Sequence, residues 1–162
     1  MAPDNAPSNR VQGEEPEYSP DVFWENRFIM TEYQAPSFHD LTPRPELERR
    51  LSDLRQGLHR LDLDAALLVY PVDILHLSGT MQNAHLLTPA DGEPLLMVKR
   101  DLARARVESP LEQIVGLPGL SRLPGLVNER LGRPPGRLGL ELDVLPVNNF
   151  KKYQALWPET EF

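Results

Sequence analysis

One block of the chain, residues 63–79, limits the possible folds more than any other stretch. Within it, residues 65–70 form an unbroken apolar run that is too short to cross a membrane and lacks the polar alternation of a half-exposed strand. Such a run is typical of a strand buried on both faces of a parallel or mixed sheet. Pro71 ends the strand because proline has no N–H to donate to it. Helical apolar spacing follows as far as Gly79, so the block predicts a strand, a sharp turn and a short helix.

A longer helix is predicted before this block. Thr42 is expected to be its N-cap, with Pro43 at the first helical position. Leucines then recur every three or four residues in an otherwise charged segment, at Leu47, Leu51, Leu54, Leu58 and Leu61. This spacing places them on one face of a helix. Asp62 is expected to end the helix, because aspartate tolerates a left-handed backbone better than most residues.

The rest of the chain alternates between predicted strands and helices. Residues 85–88 and 94–99 flank an Asp-Gly pair, which favours a hairpin turn. Further strands are predicted at 113–117 and 137–142, and further helices at 101–108, 120–131 and 147–157. The expected fold class is therefore α/β, a single domain in which a mixed β-sheet is flanked by helices.

Two segments of this pattern carry a resemblance to a known family. The first is the block just described, through Leu63, Asp64, Ala65, Leu67, Leu68, Val69, Pro71, Asp73, Ile74, Leu77, Ser78 and Gly79. The second begins at Gly139 and continues through Glu141 and Asp143. In this order and at this distance they resemble the N-terminal domain of the creatinase, prolidase and Xaa-Pro aminopeptidase family. The resemblance covers about residues 43–162.

Charge and composition divide the chain into two parts. Residues 1–41 form a polar, acidic N-terminal extension, with eight acidic and two basic side chains before residue 41 and an aromatic cluster at 22–38. This cluster is expected to pack either on its own domain or on a partner. Residues 42–162 hold the α/β creatinase N-terminal-like domain, in which charges nearly balance. Because no basic cluster is evident in the sequence, nucleic acid is not an expected partner.

Other features place the protein away from membranes. No apolar run approaches the roughly 20 residues of a membrane-spanning helix, and no basic and apolar leader begins the chain. We therefore expect no membrane partner and a cytoplasmic location. The chain has no cysteine, so it offers neither a disulfide framework nor a thiolate metal site.

Metal and phosphate motifs are missing from the sequence. None of the four histidines pairs with another at the i, i+4 spacing of a helical metal site, and capping explains Asp62 and Asp64 better than metal binding does. The loop 116–119 lacks the lysine of a phosphate-binding loop, and Pro118 removes an N–H donor. No catalytic residue, metal ligand or cofactor is therefore assigned in this chain.

The resemblance implies how such a chain takes part in catalysis. Family enzymes hold two divalent metals (Mn, Co or Zn) in a separate C-terminal catalytic domain, which is absent from this chain. The chain alone is therefore expected to be no enzyme. It is expected to be the N-terminal domain of a metal-dependent Xaa-Pro peptidase (aminopeptidase or prolidase) or creatinase-like hydrolase. Its expected partners are its own catalytic domain and a second copy, in a homo-oligomer that is a dimer.

A loop after the short helix is the segment that the resemblance implies at the substrate entrance. Its residues are His76, Gly79, Thr80, Met81, Gln82 and Asn83. The family favours tyrosine and an aromatic residue where this chain has His76 and Thr80, so the substrate stays open. His76 and His85 flank the loop and could approach each other, although ordinary polar positions near a loop explain them better. The alternative function is a free-standing α/β ligand-binding or regulatory module without a catalytic partner.

Overall fold

The structure, a computed structural model, describes residues 42–162, so the extension 1–41 and its aromatic cluster at 22–38 lie outside the described residues. The helices are α1 Arg44–Leu61, α2 Pro71–Ser78, α3 Leu102–Glu108, α4 Leu123–Leu131 and α5 Val147–Leu156. The strands are β1 Ala65–Leu68, β2 Ala84–Pro89, β3 Leu95–Val98, β4 Ile114–Gly116 and β5 Leu138–Leu140. A 3₁₀ turn, Leu120–Arg122, precedes α4. Between residues 42 and 162, no helix has the length and apolar character required to cross a bilayer.

The five strands form one mixed sheet in the order β4-β3-β2-β1-β5. Strand β2 is antiparallel to both of its neighbours, whereas the pairs β1–β5 and β3–β4 are parallel. Four strands therefore point one way, and their carboxyl ends lie at one edge of the sheet, which we call the carboxyl edge. The predicted mixed α/β fold is confirmed.

Apolar side chains pack on both faces of this sheet. All four residues of β1 are buried, and they alternate between the two faces. One face packs against leucines of α1 and α2 and the small Ala105 of α3. The other face packs against Leu123 and Val127 of α4, Tyr153 of α5 and Trp157, which directly follows α5. The expected doubly buried strand is thus confirmed, although it ends at Leu68 and not at residue 70.

The first helix follows its predicted pattern in the middle and departs from it at both ends. Leu47, Leu51 and Leu58 are buried, but Leu61 is 64% exposed in the last turn of the helix. The prediction that Thr42 is the N-cap was wrong, because Pro43 occupies that position and no side chain caps the helix. Asp62 ends the helix in the left-handed conformation, with φ of 55°, as predicted.

The aspartates after α1 have structural partners. The Asp64 carboxylate accepts hydrogen bonds from the backbone N–H groups of Gly136 (2.7 Å) and Arg137 (2.9 Å) and pairs with the Arg133 guanidinium. The Arg137 guanidinium in turn donates to the Asp62 carbonyl at 2.7 Å. These contacts tie the end of α1 to the start of β5. Asp62 occupies the C-cap of α1, as predicted, whereas Asp64 caps no helix and instead holds the backbone before β5.

Candidate functional site

Polar side chains from distant parts of the chain meet at the carboxyl edge. Because β2 runs against its neighbours, its first residues lie where β1 and β3 end. The loop before β2, the turn after β1 and the segments after β3, β4 and β5 therefore share this edge. In α/β sheets, ligands bind outside the carboxyl ends of the strands. The candidate functional site is built here.

Helix α2 sets the position of the predicted entrance loop. Ile74 and Leu77 are buried against the sheet, and Gly79 ends the helix with φ of 78°. A side chain would strain the backbone in that left-handed conformation, which explains the glycine. His76 lies exposed in the last turn, and its backbone carbonyl accepts a 2.9 Å hydrogen bond from the Arg50 guanidinium. The loop therefore leaves the helix in a defined direction.

Two loop side chains turn inward and are held by one carboxylate. The Thr80 hydroxyl donates a 2.6 Å hydrogen bond to the Glu108 carboxylate, and the Gln82 side-chain amide donates to the same oxygen at 3.3 Å. Thr80 is buried and Gln82 is half-buried. Burial opposes ionisation of Glu108, but these bonds and the Arg104 guanidinium outweigh it and lower the pKa of that carboxyl. An ionised Glu108 thus anchors the loop.

The other two loop side chains face outward. Met81 is 67% exposed and Asn83 is exposed as well. The Asn83 backbone carbonyl accepts a 2.8 Å hydrogen bond from the Lys99 N–H, which joins the loop to the end of β3. An anchored loop with two outward side chains can present a fixed surface to a ligand or to another domain. The role of the six loop residues at a substrate entrance stays a prediction.

The two histidines that flank the loop lie in different surroundings. His85 is buried, and its Nε2 atom lies 2.8 Å from the Tyr153 hydroxyl. Burial, reinforced by the Lys99 charge, lowers the pKa of His85 to about 3, so the ring is neutral near pH 7. His76 is exposed on α2. His85 is thus a core residue and not a loop residue, and sequence reasoning had no signal for its partner 68 positions away.

A second carboxylate links the end of β1 to the segment after β5. The Glu141 carboxylate accepts hydrogen bonds from the backbone N–H groups of Val69 (2.7 Å) and Tyr70 (3.0 Å), and the Asp73 carboxyl lies near it. Burial, together with Asp73, raises the pKa of Glu141 to about 7. The family-like segment that begins at Gly139 therefore has a structural task in this chain. Sequence reasoning matched the segment but did not predict this contact.

The resemblance implies a two-metal site, and the described residues lack the side-chain groups that such a site requires. Within residues 42–162, no group of three or more histidine, aspartate or glutamate side chains is placed to hold a metal ion. Glu141 and Asp73 supply two carboxylates only, and Glu141 is already bonded to two backbone N–H groups. The residues of this part of the chain therefore do not fit a two-metal centre.

Solved structures similar to this chain are N-terminal domains of peptidases or contain them. The N-terminal domain of the cytoplasmic peptidase PepQ from Mycobacterium tuberculosis H37Rv is 26% identical, with a TM-score of 0.62 over 70% of this chain and 89% of that one. The Xaa-Pro dipeptidase from Bacillus anthracis has a TM-score of 0.63 at 18% identity, over 72% of this chain and 32% of that one. The prolidase from Pyrococcus furiosus has a TM-score of 0.59 at 21% identity, over 70% of this chain and 34% of that one. The two more distant likenesses show the fold alone.

Sequence comparison leads to the same group. An uncharacterized hydrolase/peptidase, y4tL of Sinorhizobium fredii (strain NBRC 101917 / NGR234), is 27% identical over a 135-residue alignment that covers 72% of this chain. The match spans 35% of the length of that relative. The family model of the creatinase/prolidase N-terminal domain matches residues 50–162, more than half of the chain. The chain therefore belongs to the creatinase/prolidase N-terminal domain family.

Proposed function

We propose that this chain serves as the N-terminal domain of a metal-dependent Xaa-Pro peptidase or creatinase-like hydrolase, without catalytic activity of its own. Relatives named as prolidases and Xaa-Pro dipeptidases support this assignment. In this proposal the two divalent metals (Mn, Co or Zn) belong to a catalytic domain outside this chain. The domain contributes a wall of the substrate entrance and part of a dimer contact.

The anchored loop at residues 80–83 is the observation that carries this proposal. Glu108 holds Thr80 and Gln82 inward, while Met81 and Asn83 project outward from the carboxyl edge. A loop fixed in this way loses little conformational entropy when a substrate contacts it. Met81 supplies a flexible apolar contact and Asn83 a polar one, which suits a wall that orients a small peptide.

The test uses the protein that the intact reading frame encodes. A double variant, Met81→Ser with Asn83→Ala, is assayed on several Xaa-Pro dipeptides with Mn²⁺. We expect kcat/KM to fall by about tenfold, equivalent to ~1.4 kcal/mol of transition-state binding, with metal content and melting temperature unchanged. Leu61→Ser is the matched control, because Leu61 is 64% exposed and lies at the far end of α1.

Three outcomes would contradict the proposal in different ways. Kinetics of the double variant within about twofold of wild type would remove the loop from the entrance. An intact reading frame without a metal-ligand set would favour the free-standing binding module. Hydrolysis of an Xaa-Pro dipeptide by the 162-residue chain alone would contradict its non-catalytic role. The dimer contact is tested separately by sedimentation of the chain, where a monomer at every concentration would count against it.

A further inference from the structure

A cavity of about 400 Å³ opens at the carboxyl edge, beyond the ends of the parallel strands β3 and β4. Residues that follow those strands form one side of it, including Lys99 and Leu117. Helix α5 contributes Asn149, Lys152 and Tyr153 to the lining. A crevice outside the carboxyl ends of neighbouring parallel strands is a common ligand site in α/β sheets. Its position alone makes this cavity a candidate.

The side chains around the cavity are strongly biased in charge. Lys99, Arg100 and Lys152 all line it, and no acidic side chain does. Among residues 42–162, the ion pairs engage other arginines and His59, and none includes these three cations. Partial burial lowers the pKa of Lys99, and the charge of nearby Lys152 lowers it further. An anion between them would relieve this repulsion.

The cavity also offers neutral and apolar surface. Leu117, Pro118 and Leu120 supply apolar lining, and the Asn149 amide can donate or accept a hydrogen bond. The Tyr153 hydroxyl is already engaged by buried His85 at 2.8 Å, so Tyr153 holds the wall in place. A few polar groups above an apolar surface are typical of sites for small organic molecules.

We propose that this cavity binds the phosphate group of a small molecule, either inorganic phosphate or a phosphate monoester, between Lys99, Arg100 and Lys152. Three cations match a multivalent anion better than a single carboxylate, and arginine and lysine are the side chains that proteins use most for phosphate. The apolar surface would contact the organic part of a monoester.

The first measurement follows backbone amide shifts of the whole chain during titration with inorganic phosphate at constant ionic strength. We expect saturable shifts at Lys99, Gly119 and Asn149, with a Kd of about 1 mM or tighter. Amides near Asp91 and Arg130, which line a different cavity of mixed charge, should not move. Linear shifts without saturation, or equal shifts at both cavities, would overturn the proposal.

Adjacent lysines on α5 provide a matched pair of variants. Both lysines are exposed, but Lys152 lines the cavity and Lys151 does not. Lys152→Gln should weaken phosphate binding by about tenfold, and Lys151→Gln should change it by less than about twofold. Equal weakening in the two variants would mean diffuse charge attraction and would overturn the site. Lys99→Gln provides a second test if Lys152→Gln does not fold.

A third titration, with glycerol 3-phosphate, distinguishes the two sources of the phosphate group. Tighter binding than that of inorganic phosphate, by about threefold or more, would indicate that the organic part contacts the apolar surface. Equal affinities would assign the site to phosphate itself. Failure of both ligands to saturate would overturn the proposal and would leave the entrance-loop function unaffected, because Met81 and Asn83 do not line this cavity.

Discussion

The side chain of Glu141 accepts a 2.7 Å hydrogen bond from the backbone N–H of Val69, 72 residues earlier in the chain. This bond and its neighbour at Tyr70 occupy N–H groups at the end of β1, where the chain turns into α2. The same carboxylate lies near Asp73, in the first turn of α2. One side chain after β5 therefore positions the turn that leads to the entrance loop.

Glu141 should make stability depend on pH near neutrality. Its folded pKa is about 7, above the ordinary value of 4.5, because of burial and Asp73. The folded state therefore holds its proton more tightly, and the stability from this group is complete below about pH 4.5 and is lost as pH rises through 7. The Glu141 charge acts in turn on Tyr153, because burial and that charge raise the pKa of Tyr153 to about 12.

Glu141→Gln tests this dependence. Its amide oxygen can still accept the Val69 and Tyr70 N–H groups, and its NH₂ group can donate to Asp73 without a charge. We expect a higher urea midpoint than wild type at about pH 8 and a similar one at about pH 5. If the urea midpoints of variant and wild type differed by the same amount at both pH values, Glu141 would not titrate in this range.

The leucine stripe of α1 should show a strong contrast between two of its members. Leu51 is 3% exposed in the core, whereas Leu61 is 64% exposed in the last turn. Leu51→Ala should destabilise the fold by about 2–5 kcal/mol, because it leaves a cavity beneath the helix. Leu61→Ala should change stability by about 0.5 kcal/mol or less. Urea unfolding measures both variants, and similar midpoints would contradict the packing described for α1.

The buried pair His85 and Tyr153 should depend on its hydrogen bond. Tyr153→Phe removes the only hydrogen-bond partner of the His85 ring among the described residues, since the other ring nitrogen, Nδ1, is buried without one. We expect a loss of about 1–3 kcal/mol in unfolding free energy.

The ionisation of His85 gives a separate check on the same pair. Its lowered pKa means that the folded state keeps the ring neutral while the unfolded chain takes up a proton below about 6.5. Stability from this group is therefore present above pH 6.5 and is lost as pH falls toward 3. Nitrogen-15 shifts should report a neutral ring at about pH 5, and a charged ring there would contradict the buried contact.

The Glu108 anchor should control the mobility of the entrance loop. Glu108→Ala removes the acceptor of both the Thr80 hydroxyl and the Gln82 amide, and leaves Thr80 buried without that partner. We expect faster hydrogen exchange at residues 80–83 by about tenfold, with slower-exchanging amides of β1 little changed. Arg106→Ala on the same helix is the control, because Arg106 donates to the Ile114 carbonyl and not to the loop. Equal exchange in the two variants would mean that Glu108 does not hold the loop.

Local order was largely readable from the sequence. The apolar run at 65–70, the proline after it and the glycine at 79 predicted a buried strand, a turn and a short helix, and the structure has all three, with the strand ending at Leu68. The helix predicted at 101–108 is present as α3, and the Asp101 carboxylate caps it by accepting the Arg104 N–H. These features depend on side-chain periodicity and backbone geometry within a few residues, so the sequence alone determines them.

The contacts of the candidate sites were decided only by the tertiary structure. Thr80 meets Glu108, His85 meets Tyr153 and Glu141 meets Val69 across separations of 28, 68 and 72 positions. The sequence also has no evident basic cluster, yet the fold brings Lys99 and Arg100 after β3 together with Lys152 of α5 around one cavity. The sequence determined which segments become strands and helices. The strand order brought the ends of these segments to one edge of the sheet. The partners and the charge environment of a side chain depend on its distance from other groups in space and not on their spacing along the chain.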